Sequence, residues 1–209
     1  MFMTPFDPAS SARTLNLVWN MTGLREDERL GYAALLPTGH AIAVDHAMAA
    51  RRIRAANPRL CVYLREDERL MRLGADGTPA ETLFWVDNIL PSQLGGDAPR
   101  CAAALDIVMR DTTKAAWAAM AEIVDAGLTP ANAAAALVGT PDEIARRLAE
   151  YRAGGLRHVV LTAPPERAPY MAVERELMPL LTAMRRAPTA APHRAQSQPG
   201  TIGWHGVAL

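Results

Sequence analysis

Lysine is almost missing from this chain: Lys114 stands alone, and the rest of the basic side is arginine. An imine-forming amine therefore has one candidate. Cysteine is nearly as scarce. Cys61 and Cys101 are too few for a disulfide framework and lack a close metal-type spacing, so two reduced thiols are expected. An excess of either charge is missing too. With 22 basic residues against 22 acidic ones, nothing steers the chain toward nucleic acid or an anionic membrane. No apolar run approaches the ~18 residues of a membrane span, and no basic segment followed by a long apolar stretch opens the chain. The expectation is a cytoplasmic protein that contacts neither membrane nor nucleic acid. The glycine-rich nucleotide fingerprints G-x-G-x-x-G and G-x-x-x-x-G-K-[ST] are absent, as is the nucleophile elbow of serine hydrolases.

What is present is core material. Half of the 209 residues are hydrophobic and 21% are charged, the composition of one globular domain. Residues 1–12 read as a flexible arm, 13–186 as an α/β domain and 187–209, rich in Pro, Ala and Gln, as a disordered tail. "TLNLVWN" (14–20), "RLCVYL" (59–64) and "TLFWV" (82–86) read as strands, and "AVDHAMAARRIRAAN" (43–57) as a helix. "CAAALDIVM" (101–109) has the continuous apolar character of a strand buried on both faces. The heptapeptide "LREDERL" occurs twice, at 24–30 and 64–70, with unmatched flanks. In the first copy Arg25 with Glu28 and Glu26 with Arg29 are i,i+3 pairs on a solvated helix turn.

The stretch 137–165, "LVGTPDEIARRLAEYRAGGLRHVVLTAPP", is the most orderly. Thr140 is an N-cap, Glu143 completes a capping box and Pro141 takes the first helical position. Asp142 and Glu143 precede Arg146 and Arg147 by four residues. Ile144, Leu148 and Tyr151 form the buried stripe, Gly154 or Gly155 ends the helix, and "HVVLT" follows as a buried strand. A last helix runs from about 169 to 186, bent or interrupted at Pro179. Alternation with short turns indicates βαβ units and a parallel sheet.

Residues 137–181 resemble the C-terminal end of the luciferase-like flavin-dependent monooxygenases, nearest to their alkanesulfonate branch. The family pattern is a V-G-[DST] loop, a helix, a strand ending near "SGYP", and a helix ending in "PLL". Val138, Gly139, Thr140, Gly155, Val159 to Thr162, Pro165 and Pro179 to Leu181 fall in register with it. "ALDIVMRDTTKAAW" (104–117) resembles the family's preceding strand and helix, so the best-matched part is 81–186. The resemblance implies a (β/α)8 TIM-type barrel with parallel strands, here partial or truncated because ~250 residues are usual for a complete one. It also implies reduced FMN or, in some branches, F420, no metal, and monooxygenation of a small organic substrate such as an alkanesulfonate. A flavin reductase and a second copy in a homodimer, covering sheet edges left by missing strands, are the implied partners. A catalytically inactive flavin-binding or dimerisation protein of the same ancestry is the alternative.

The register also shows departures. Where the branch carries an arginine and a histidine on one strand, this chain has Ala104 and Asp106, and Pro164 replaces the tyrosine of "SGYP". Asp106, a carboxyl on an apolar strand, is the candidate catalytic residue, with Arg110 its nearest partner along the chain. Thr162, at the end of the last strand, is the candidate cofactor contact. His40 and His46 are six apart rather than the four a helical metal pair needs, so no metal ligand is assigned. His158 is expected at a solvated sheet edge, and Trp85 and Trp117 in the core.

Overall fold

The computed structural model describes residues 15–36, 40–162 and 167–186. The expected arm (1–12) and tail (187–209) lie outside the described residues. In chain order the elements are β1 (Asn16–Asn20), α1 (Glu26–Leu35), β2 (Ala41–Val44), α2 (Ala47–Ala56), β3 (Cys61–Glu66), β4 (Arg69–Leu73) and β5 (Pro79–Asp87). Then come β6 (Cys101–Met109), α3 (Thr113–Asp125), α4 (Pro130–Ala135), β7 (Leu137–Gly139), α5 (Pro141–Ala153), β8 (His158–Thr162) and α6 (Arg167–Arg186).

The sheet order is β5-β4-β3-β2-β1-β8-β6-β7, and β5 also pairs with β6. That last pairing closes a ring of seven strands, with β7 lying outside it on the end of β6, where Ile107 to Met109 outrun β8. The expectation of a partial (β/α)8 TIM-type barrel with parallel strands is therefore overturned. The barrel is complete, it has seven strands, and it is mixed. β4 runs antiparallel to both neighbours, whereas the β1–β2, β1–β8, β2–β3, β5–β6 and β6–β8 pairings are parallel. The physical reason is the connection between strands. β3, β4 and β5 are joined by hairpin turns too short for a helix, and a short turn forces the chain to reverse.

The first of those turns is the second "LREDERL". Its Arg65 and Glu66 close β3, Asp67 takes the left-handed conformation at φ 50°, and Arg69 opens β4. The first copy starts α1 instead, as expected, with Arg25 beside Glu28 at 3.7 Å. The expected Glu26–Arg29 pair is not the one that forms. Glu26 meets Arg52, and Arg29, 6% exposed, bonds Asp45 through both nitrogen arms, at 2.9 and 3.0 Å. Seven identical residues thus fold as helix in one place and hairpin in the other. The flanks decide: the second copy continues the buried strand run Val62 and Tyr63, whereas the first follows the left-handed Gly23 and leads into the helical run Gly31 to Leu35.

Alternation along the strands sorts the core into two. Val18, Ala41, Ala43, Tyr63, Leu70, Leu83, Trp85, Ala102, Ala104 and Val160 fill the barrel. The other face of the same strands packs under the helices through Trp19, Ile42, Val62, Leu105, Val159 and Leu161. Seven strands leave room only for side chains, and alanines on β2 and β6 make space for Trp85 and Tyr63. β2 ends inside the stretch read as helix, taking its first two residues, Ala43 and Val44; all four strand residues are buried, which hides the alternation a strand would show.

α5 forms as its sequence demands. Thr140 Oγ1 accepts from the Glu143 N–H and Glu143 Oε2 accepts from the Thr140 N–H at 2.8 Å, while Ile144, Leu148 and Tyr151 are buried. Of its expected charge pairs, the structure forms Arg147–Glu150 instead, and Glu143 also accepts from the Thr113 hydroxyl. α6 continues through Pro179 rather than breaking there. Trp117, expected in the core, is 55% exposed on α3.

Candidate site at the barrel mouth

The parallel strands all end at one mouth of the barrel, and their last inward positions are polar. Following the register from Val18, Ala104 and Val160, the next inward residues are Asn20, Asp106 and Thr162. Asp106 and Thr162 are register partners, so the two residues singled out from the sequence sit side by side. Asn20 Nδ2 donates to Thr162 Oγ1 at 3.0 Å, and its own carbonyl accepts from the Thr22 N–H and hydroxyl. That leaves the Thr162 O–H free to donate into the mouth.

Asp106 is half-buried, and no described residue pairs with its carboxyl. Burial, reinforced by repulsion from Asp87, raises its pKa. Arg110 does not neutralise it: the guanidinium donates to the Met109 carbonyl at 2.8 Å, and the Arg110 N–H bonds Gly139 on β7. Asp87 is held by Trp85, whose Nε1 donates to Oδ1 at 2.8 Å. Over the ring of Trp85 lies the Arg65 guanidinium, 4.2 Å from the centroid.

Beside this rim an open hollow of about 680 Å³ is lined by Thr22, Gly23, Asp45, Arg65, Glu66 and Asp67. Burial alone would raise the pKa of Asp45, but the Gly23 N–H and the Arg29 guanidinium outweigh it and hold the carboxyl low. His46 caps α2, accepting the Ala49 N–H at 3.2 Å, and His40 precedes β2. Among the described residues no group of three or more His, Cys, Asp or Glu is placed to hold a metal ion. No described helix is long and apolar enough to cross a membrane.

The opposite end of the barrel holds a second polar group. His158 is only 4% exposed, so it occupies the interior and not a solvated edge. Asn16 Nδ2 donates to its Nε2 at 3.2 Å, Tyr63 meets it edge-on at 6.1 Å, and its Nδ1 is buried without a partner. Burial lowers the His158 pKa and raises those of Tyr63 and Cys61. Arg72 and Glu81 close this end with a 3.2 Å ion pair.

Sequence reasoning missed Asn20, Arg65, Trp85 and Asp87 as one group. Each lies at or near a strand end, but on strands whose order around the ring no local pattern reveals. The alternation of β1 and β5 could have marked Asn20 and Asp87 as inward.

No family model matches the chain, and no curated protein matches it. Among solved structures, the riboflavin lyase RcaE, determined with modified FMN and substrate riboflavin, is similar at 16% identity and TM-score 0.34. That match covers 83% of this chain and 45% of the lyase. The monooxygenase RslO1 from Streptomyces bottropensis is similar at 14% identity and TM-score 0.31, over 78% of this chain and 47% of its own. The chain spans less than half the length of these structures. Neither likeness assigns it to the luciferase-like branch.

Proposed function

We propose that this protein is a flavin-dependent oxidoreductase whose chemistry takes place at the barrel mouth. The observation that carries the reading is Asp106: an unpaired, half-buried carboxyl beside a threonine hydroxyl already oriented by Asn20. The resemblance of residues 81–186 to flavin monooxygenases supports it. The polar edge of a flavin ring needs donors and acceptors, and Thr162 O–H and the Asp106 carboxyl supply both. A bound flavin would supply two-electron transfer. Thr162 would hold the ring edge, and Asp106, its pKa raised by burial and by Asp87, would give or take a proton at the substrate.

Reduced FMN or F420, with dioxygen in the FMN case, is the particular chemistry the resemblance implies, with a small organic substrate and a flavin reductase as electron source. The ring would find its partners at the mouth in Thr162 and Asp106. An alkanesulfonate fits poorly, since its anion would approach Asp106 and Asp87. The homodimer loses its stated reason, because closure leaves the seven strands of the ring without open edges.

A second reading, a flavin-binding protein without turnover, is favoured by Ala104, whose position in the resembling branch carries a polar group and which here is buried among apolar neighbours. One experiment separates the two. The purified protein is titrated anaerobically with oxidised and reduced flavin, following fluorescence quenching, and then exposed to oxygen. Quenching with oxygen uptake that Asp106→Asn abolishes supports the enzyme. Quenching with no uptake by either protein supports the binding protein. No quenching at millimolar flavin would sink both.

A further inference from the structure

We infer that the cleft between α2 and the β4–β5 turn binds a small aliphatic α-amino acid as its zwitterion. The cleft shares no lining residue with the hollow at the mouth, so the inference stands apart from the flavin reading.

The two walls of the cleft carry opposite charges over an apolar floor. Ala47, Arg51 and Arg54 follow one another at i, i+4 and i+7, and so share the face of α2 that lines the cleft. Arg52, between the two arginines, meets Glu26, whereas among the described residues no side chain bonds the guanidinium of Arg51 or Arg54. Both keep the planar fork of donors that takes a carboxylate. The other wall is the turn that joins β4 to β5. There Asp76 Oδ1 accepts from the Thr78 N–H at 3.0 Å and from its hydroxyl at 2.7 Å, which leaves Oδ2 open. Those two bonds hold the Asp76 carboxyl below the usual range, so it stays ionised at neutral pH. Leu64 and Leu73, from the layer under the helices, form the floor.

The charges do not close on one another: neither arginine forms an ion pair with Asp76. A plain carboxylate entering the cleft meets the like charge of Asp76, and a plain amine meets two arginines. A ligand carrying both signs on adjacent groups finds a partner on each wall, and its aliphatic side chain covers Leu64 and Leu73. The cleft holds about 260 Å³, below the roughly 300–1,000 Å³ of pockets for larger ligands, which suits an amino acid.

Three probes separate these contributions: L-leucine, isocaproate (the same skeleton without the amine) and isoamylamine (without the carboxylate). Each is titrated into the full chain labelled with nitrogen-15, following backbone amide shifts. Leucine is expected to shift α2 and the turn at Gly74 and Gly77 saturably, and each fragment to bind about tenfold more weakly. Asp76→Asn keeps an acceptor for Thr78 and should weaken leucine to the level of isocaproate, without weakening isocaproate. Arg54→Gln should weaken leucine and isocaproate but not isoamylamine. No saturable shift up to about 20 mM leucine overturns the inference. So does isocaproate binding as tightly as leucine, which would mark a plain anion site, or a leucine response that neither variant changes.

Discussion

Asp106 and His158 occupy opposite ends of one barrel and respond to pH with opposite signs. Asp106 has a pKa raised by burial and by Asp87 above the ordinary 3.8, so the folded protein holds its proton longer than the unfolded chain does. Its contribution to stability therefore falls as pH rises from the ordinary carboxyl value through the raised folded one. Asp106→Asn should stabilise the protein at pH 7, by something of order 1 kcal/mol, and make little difference near pH 3. His158 is the reverse. Burial lowers its pKa below 6.5, against a raising influence from Glu81 and lowering ones from Arg72 and Arg157. The folded state favours the neutral ring, so stability is lost as pH falls through the ordinary imidazole value toward the depressed one. Melting temperatures from pH 7 down to pH 5 should fall more steeply for the parent than for His158→Gln. A parallel pair of curves would refute the assignment.

At the scale of elements, the turn from β7 into α5 shows how much a local pattern can specify. Gly139 sits at φ 148°, and a β-carbon there would stand 2.5 Å from Glu143 Oε2, the atom that completes the capping box. Gly139→Ala should cost about 1–3 kcal/mol through backbone strain and displacement of Glu143. Thr140→Ala should cost about 1 kcal/mol by losing the cap alone. Chemical denaturation measures both, and equal losses would mean that glycine serves no special purpose. The caps, the buried stripe and the strand after them were all legible because each signal acts within a few residues. The two copies of "LREDERL" mark the boundary of that legibility. Identical residues become helix and hairpin because the free energy separating the two is small within seven residues, and burial of the flanking strands outweighs it. The same boundary explains the unread strands β2 and β4. One is buried on both faces, and the other is the return arm of a hairpin.

For the whole molecule, closure has a consequence that adjacent residues can test. Leu83 points into the barrel and is 3% exposed, whereas Phe84 points outward and is 50% exposed. Leu83→Ala should cost about 2–5 kcal/mol, because the closed ring cannot collapse around the cavity. Phe84→Ala should cost much less, although it removes the larger side chain. Similar losses at both positions would contradict the register that closes β5 onto β6. The parallel β1–β8 pairing also places Asn20 and Thr162, 142 positions apart, in hydrogen-bond contact.

The sequence by itself determined the local grammar: where α5 begins and ends, that 101–109 is a strand buried on both faces, and that Asp106 and Thr162 stand at strand positions worth examining. It also named a flavin chemistry through a resemblance carried by those same segments. Only the tertiary structure decided that the strands close into a mixed ring of seven. It alone brought Asn20, Arg65, Trp85 and Asp87 to the mouth with Asp106 and put His158 inside. The physical reason is range. Caps, turns and side-chain periodicity act over a few residues, whereas strand order, hairpin reversal and the company a buried charge keeps follow from burial summed over the whole chain.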